Sequence, residues 1–278
     1  MRFFASETTC TSSRTGLWRR RPWRSTSITR ACGSVPVEWT LQADRFPLWA
    51  LPTCYRCYAF MVPSTGGHGF SREPFFRMFT DNPEIVFTEV RHGTNAAQGA
   101  TAYETPNLLE NDVVVLYDMP KSITSPQQAR FRALLEKGVG MLVLHHALVS
   151  YQHWPEYEKT IGGRYPEADG KSGVVSKEVG YQHDVDLPVV IVGQHPVTAG
   201  LKDFVIHDEI YWGFRVGSDV TPLLTTTLAK SGKPLAWVRE EGRSRIVSVQ
   251  MGHGPEAFAN QQYRQLLAQS IRWAARRG

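Results

Sequence analysis

Beyond Cys57 the 278-residue chain contains no cysteine. Residues 58–278 can therefore form no disulfide and offer no thiol nucleophile. Long hydrophobic runs are missing too. No stretch approaches the roughly 18 uninterrupted apolar residues of a membrane span, so no membrane partner is expected. Basic charge is scarce where a nucleic-acid surface would need it. The net charge of +5 is more than accounted for by residues 1–57, which hold nine arginines against Glu7, Glu38 and Asp44, and the rest of the chain is close to neutral. A near-neutral body gives no electrostatic footprint for phosphate, so no nucleic-acid partner is expected.

The first 57 residues also lack a sustained period of 2 or 3.6, despite Trp18, Trp23, Trp39 and Trp49. They contain all four cysteines, Cys10, Cys32, Cys54 and Cys57. Cys54 and Cys57 form a C-x-x-C, but no second pair stands at metal-site spacing. An arginine run, Arg19-Arg20-Arg21, is not followed by the apolar core and small-residue cleavage site of a secretory signal. Residues 1–57 are read as a disordered or spurious extension, and 58–278 as one α/β domain. A cytoplasmic location follows, with secretion left open by the arginine-rich start.

What is present from Ala59 onward is a succession of short apolar runs and amphipathic stretches at the spacing of βα units, which implies a parallel sheet. Strands are predicted at 59–64, 84–90, 112–117, 140–145, 186–192, 222–227, 235–239 and 245–249. Val113 to Leu116 form a continuous apolar run and so predict a strand buried on both faces. Helices are predicted from Ser71, over 127–137 with Gly138 as its stop, around 154–161, and over 260–275. In the last, Tyr263, Leu266, Leu267, Ile271 and Ala274 make one apolar stripe.

In open α/β sheets ligands sit beyond the carboxyl ends of strands, so polar residues there carry the chemistry. Four clusters stand out: Gly66-Gly67-His68-Gly69; His145-His146-Ala147; His207-Asp208-Glu209-Ile210-Tyr211-Trp212; and Gly252-His253-Gly254. With Arg72-Glu73-Pro74-Phe75-Phe76, His153-Trp154-Pro155, Gly162-Gly163-Arg164-Tyr165 and His195-Pro196-Val197, their order and spacing resemble the ThuA-like (trehalose utilisation) family over roughly residues 60–273. The resemblance implies a flavodoxin-like fold related to class I glutamine amidotransferases, a mostly parallel sheet with helices on both faces. It also implies a part in the use of trehalose and related disaccharides.

The amidotransferase relatives present a cysteine at a strand-to-helix elbow, where this sequence reads Leu144-His145-His146-Ala147. Glutamine hydrolysis through a thioester is excluded. The remaining imidazoles and carboxylates suit two chemistries. His68, His146 and His253, with Glu209, can ligate a divalent metal such as zinc. Alternatively His146 or His253 moves a proton, with Glu209 as its partner. His146, His253 and Glu209 are the expected catalytic group, and Gly67, His68, His145, Tyr211 and Trp154 the expected substrate contacts. Trp212 is a further candidate aromatic wall. The bland reading makes His153, His183 and His195 turn residues, and Asp184 and Asp208 caps. The substrate expected is a small carbohydrate, a disaccharide, glycoside or keto-glycoside, handled by a hydrolase, lyase or isomerase. A non-catalytic sugar-binding or regulatory protein and an interaction subunit stay as alternatives, and homo-oligomerisation is open.

Overall fold

The computed structural model describes residues 55–61, 70–93, 96–166 and 178–276. All belong to one compact unit, Leu48–Gly278. In chain order the elements are β1 (Tyr55–Met61), α1 (Arg72–Arg77), β2 (Ile85–Arg91), β3 (Val113–Tyr117), α2 (Ser125–Lys137), β4 (Gly140–Leu144) and α3 (Pro155–Ile161). There follow β5 (Gly163–Arg164), β6 (Gly180–Ile191), β7 (Phe204–Trp212), β8 (Arg215–Val216), β9 (Thr221–Thr225), β10 (Ala236–Glu241), β11 (Ser244–Val249), α4 (Pro255–Ala259) and α5 (Gln261–Ala274).

Nine strands form one sheet in the order β2-β1-β3-β4-β11-β10-β9-β6-β7, and β5 pairs with β8. The five strands from β2 to β11 are mutually parallel. From β11 onward every pairing is antiparallel. The expected parallel sheet is thus the core of the molecule, and an antiparallel extension continues it.

Alternate residues of the central strands enter two separate cores. Val113, Val115, Leu142, Leu144, Val247 and Val249 pack with Phe75, Phe258, Leu266 and Ile271 of α1, α4 and α5. Val114, Leu116, Met141, Val143 and Ile246 pack with Phe131, Leu134, Tyr157 and Ile161 of α2 and α3. Burial on both faces is what a continuous run such as Val-Val-Val-Leu encodes. The α2 helix starts at Ser125 because Thr124 is its N-cap and its backbone N–H donates to the Gln127 amide oxygen, a capping-box contact. It ends at Gly138, whose φ of 85° is the left-handed cap that glycine adopts without penalty.

Three expectations are corrected. The first strand begins at Tyr55, so the domain boundary expected at 57/58 falls inside β1, where Cys57 pairs with Val113 at the start of β3. Composition placed that boundary, and composition does not track backbone pairing. The rest of 1–57, including Cys54, lies outside the described residues, as do 62–64 of the expected strand. Residues 207–212 are not a cluster beyond a strand end but part of β7 itself. Finally, β6 begins at Gly180 rather than Asp186, because a bulge between Gln182 and Val185 breaks its alternation; Asp184 there takes a φ of 56°.

Candidate active site

Three chain segments converge. His145 immediately follows β4 and takes a φ of 50°, a left-handed conformation that costs a non-glycine residue energy and is concentrated at functional sites. Its Nδ1 lies 2.8 Å from the Gln250 carbonyl oxygen. A carbonyl only accepts, so Nδ1 carries the proton and Nε2 faces the site. There Nε2 lies 2.9 Å from Glu209 Oε2, 3.1 Å from His253 Nδ1 and 3.1 Å from the Tyr211 hydroxyl. The Tyr211 ring also stacks on His145, centroids 4.9 Å apart and 15° from parallel.

His253 occupies the turn between β11 and α4. Its Nδ1 is 3.0 Å from Glu209 Oε2. The turn is set by Gly252, whose φ of 117° and contact with Tyr263 leave no room for a side chain. Tyr117 donates its hydroxyl hydrogen to the Gly252 carbonyl at 2.9 Å. Asp208 accepts the backbone N–H groups of Gly252 at 2.6 Å, His253 at 2.8 Å and Glu209 at 2.9 Å. On the far side of Glu209, His183 Nδ1 lies 3.4 Å from Oε1, brought there by the β6 bulge.

The electrostatics bind the group together. Burial opposes the charge on Glu209, but hydrogen bonds from and the charges of His145 and His253 outweigh it and hold its carboxyl far below the usual range. Complete burial pushes His145 down, yet Glu209, Asp208 and the Gln250 carbonyl together leave it above the ordinary imidazole value. Burial pushes Asp208 up, against His145 and the backbone donors. Desolvation raises Tyr117 and Tyr211, so both remain neutral hydroxyls. The Glu209 side chain is 5% exposed and that of His253 24%, so the group opens to solvent on the His253 side.

One nitrogen each from His145 and His253 and one Glu209 oxygen thus form a triangle with sides of 2.9–3.1 Å. Tetrahedral zinc bonded at 2.0–2.1 Å spaces its donors about 3.3 Å apart, within a few tenths of this triangle. Two imidazoles and a carboxylate are also the donor chemistry that zinc takes in catalytic sites.

The expected site residues distribute unevenly. His253 and Glu209 are in the triangle. The third corner is His145, expected as a substrate contact, and not His146, whose ring packs edge-on against Tyr117 at 4.5 Å. Tyr211 is at the site. Trp154, expected as a sugar wall, is instead 7% exposed and packed edge-on against Phe131 and Tyr151 in the core under α2 and α3. Trp212 lies under Lys230, with Nζ 4.5 Å from the ring centroid. Gly67 and His68, with the metal-ligand role expected for His68, lie outside the described residues. Ser150 is buried and donates to the Asp118 carbonyl. His195 caps the 3₁₀ turn at Pro196, accepting the Val197 N–H. Sequence reasoning missed His183, Gln250, Tyr117 and the clamp made by Asp208. No local signal marks a bulge or a backbone carbonyl, and only the paired Asp208-Glu209 hinted that the aspartate belonged here.

A family model described as trehalose utilisation, ThuA, matches residues 76–274. The chain belongs to the ThuA family. Its fold recurs in a ThuA-like protein from Parabacteroides merdae, 18% identical, with a TM-score of 0.66 over 80% of this chain and 90% of that one. A ThuA-like protein from Bacteroides uniformis, 20% identical, aligns with a TM-score of 0.55 over 79% and 91%. A cytoplasmic protein of Salmonella typhimurium, 13% identical, gives 0.54 over 80% and 100%. At these identities the likeness is one of fold. No curated protein matches the chain significantly. Among the described residues of this ThuA-family chain, no helix is long and apolar enough to cross a membrane.

Proposed function

We propose that this ThuA-family protein is a carbohydrate-processing enzyme whose working group is His145, Glu209 and His253, acting on a disaccharide or glycoside that carries a carbonyl. The observation that carries the reading is the triangle of three donor atoms with one solvent-facing side. His145 and Glu209 are fixed and buried, as a binding group must be, and His253 is half-open, as a group that meets substrate must be.

His145 Nε2, Glu209 Oε2 and His253 Nδ1 would hold a divalent cation such as zinc, which would supply Lewis-acid polarisation of a sugar oxygen. The remaining chemistry belongs to the chain. Tyr211 keeps its hydroxyl proton and can donate it to a substrate oxygen. Its ring holds His145 flat, and the Gln250 carbonyl fixes the tautomer. His183, whose Nδ1 lies 3.4 Å from Glu209 Oε1, would take a proton from a carbon next to a carbonyl. Tyr165, 4.7 Å from the Tyr211 ring, would be a neighbouring aromatic against which a sugar can stack. A cytoplasmic location is part of the proposal.

The test is elemental analysis of the gently purified protein with a turnover screen of disaccharides and their keto forms. A near-stoichiometric divalent metal and conversion of a sugar, both lost in His145→Ala, are expected. Sugar binding without conversion by metal-replete protein would favour a non-catalytic sugar-binding role and overturn the enzyme reading.

A further inference from the structure

Asp208 is buried, and among the described residues its carboxylate accepts three backbone N–H groups. Two of these belong to the turn that carries His253 and the third to Glu209. One carboxylate on β7 therefore ties the backbone of the His253 corner to the strand that carries the Glu209 corner, with 45 positions between Asp208 and His253. Gly252 makes this arrangement possible. Its left-handed φ aims two successive N–H groups at one carboxylate, and the Tyr117 hydroxyl donates on the other side of the turn, 2.9 Å from the Gly252 carbonyl and 3.2 Å from that of His253.

We infer that Asp208 is a positioning residue for the site: it sets the His253 ring against Glu209 by clamping the Gly252–His253 backbone. The inference rests on reading His145, Glu209 and His253 as one working group. Charge and geometry require a carboxylate. An amide of the same shape offers one oxygen to N–H groups that approach both ends, so its NH₂ meets a backbone donor whichever way it turns. A buried acid that served packing alone would be replaceable by its isostere without consequence for His253.

The test is cobalt(II) and zinc(II) titration of the chelator-treated full chain as wild type, Asp208→Asn, His253→Ala and the double variant. Asp208→Asn is expected to weaken binding about 10–100-fold, the range for groups that orient ligands. Because it acts through His253, the double variant should bind no more weakly than His253→Ala alone. Asp208→Asn binding as wild type does, or losses that multiply in the double variant, would overturn the inference. If Asp208→Asn does not fold, Asp208→Ser, which keeps one acceptor, must show the same coupling. Failure of wild type to bind either metal would sink the metal reading alone. Asp208 is then judged on the His253 ring-nitrogen resonances, which Asp208→Asn must shift; an unmoved spectrum would overturn it.

Discussion

At the residue scale the two neighbouring histidines after β4 separate cleanly. His145 turns its Nε2 into the donor triangle, and His146 turns its ring onto Tyr117. His145→Ala should therefore cost at least about tenfold in zinc affinity, and His146→Ala little, a contrast read by metal titration of the two variants. Gly252→Ala places a side chain at φ 117° against Tyr263 and should destabilise the fold by about 1–3 kcal/mol, measured by urea denaturation.

The charges of the triangle give a pH dependence with a definite sign. Glu209 is depressed in the folded protein, so its contribution is present above the unfolded value of about 4.3 and is lost as pH falls through the folded one. His145 is raised, so its contribution is full below the unfolded value of about 6.5 and is lost as pH rises through the folded one. In metal-free protein the stability lost on Glu209→Gln should be greatest between about pH 4.3 and 6.5 and shrink on either side. Asp208, raised by burial, is common to both proteins and largely cancels in the difference. A wild-type-minus-variant stability difference that is flat across this range would contradict the pairing.

At the scale of elements, what was legible in the sequence was whatever obeys a local rule. The Val113–Leu116 run encoded a doubly buried strand, and the stripe on α5 encoded its packed face, where Tyr263, Leu266, Leu267 and Ile271 are all buried. Leu267→Ala should cost about 2–5 kcal/mol in the midpoint-derived stability, because it removes a fully buried side chain and leaves a cavity in the core. What was illegible was β7. Along it, Ile206, Asp208 and Ile210 alternate with His207, Glu209 and Tyr211, and the site consumes polar residues that a strand pattern would place in solvent. The start of β1 was hidden for a different reason. Its first three residues pair with β2, which is set by a partner about 30 residues away in sequence. A chain beginning at Tyr58 loses those three residues and should unfold at lower temperature than one beginning at Tyr55, measured by thermal denaturation.

At the scale of the molecule, the parallel strands place His145 and the Gly252–His253 turn side by side, since β4 and β11 are neighbours and both end at the site. The antiparallel extension supplies Glu209, Tyr211 and His183 from β7 and β6. The site therefore joins the two halves of the sheet. A cation held by donors from both halves should stabilise the whole fold by mass action. Chelation should lower the melting temperature of wild type and leave His145→Ala unchanged, measured by calorimetry with and without EDTA.

By itself the sequence determined the α/β class, the family, the exclusion of thiol chemistry and the residue types of the site, because composition, short-range periodicity and ordered motifs are properties of the chain alone. It also singled out Glu209 and His253, which the fold brings within 3.0 Å of each other. Only the tertiary structure shows that His145, and not His146, turns its ring to Glu209 and His253. The ring that faces the site is chosen by one backbone dihedral and by a carbonyl 105 residues away. It also decided that Trp154 is core and Asp208 a backbone clamp. Those roles depend on which groups approach a side chain in space, and separation along the chain carries no record of that.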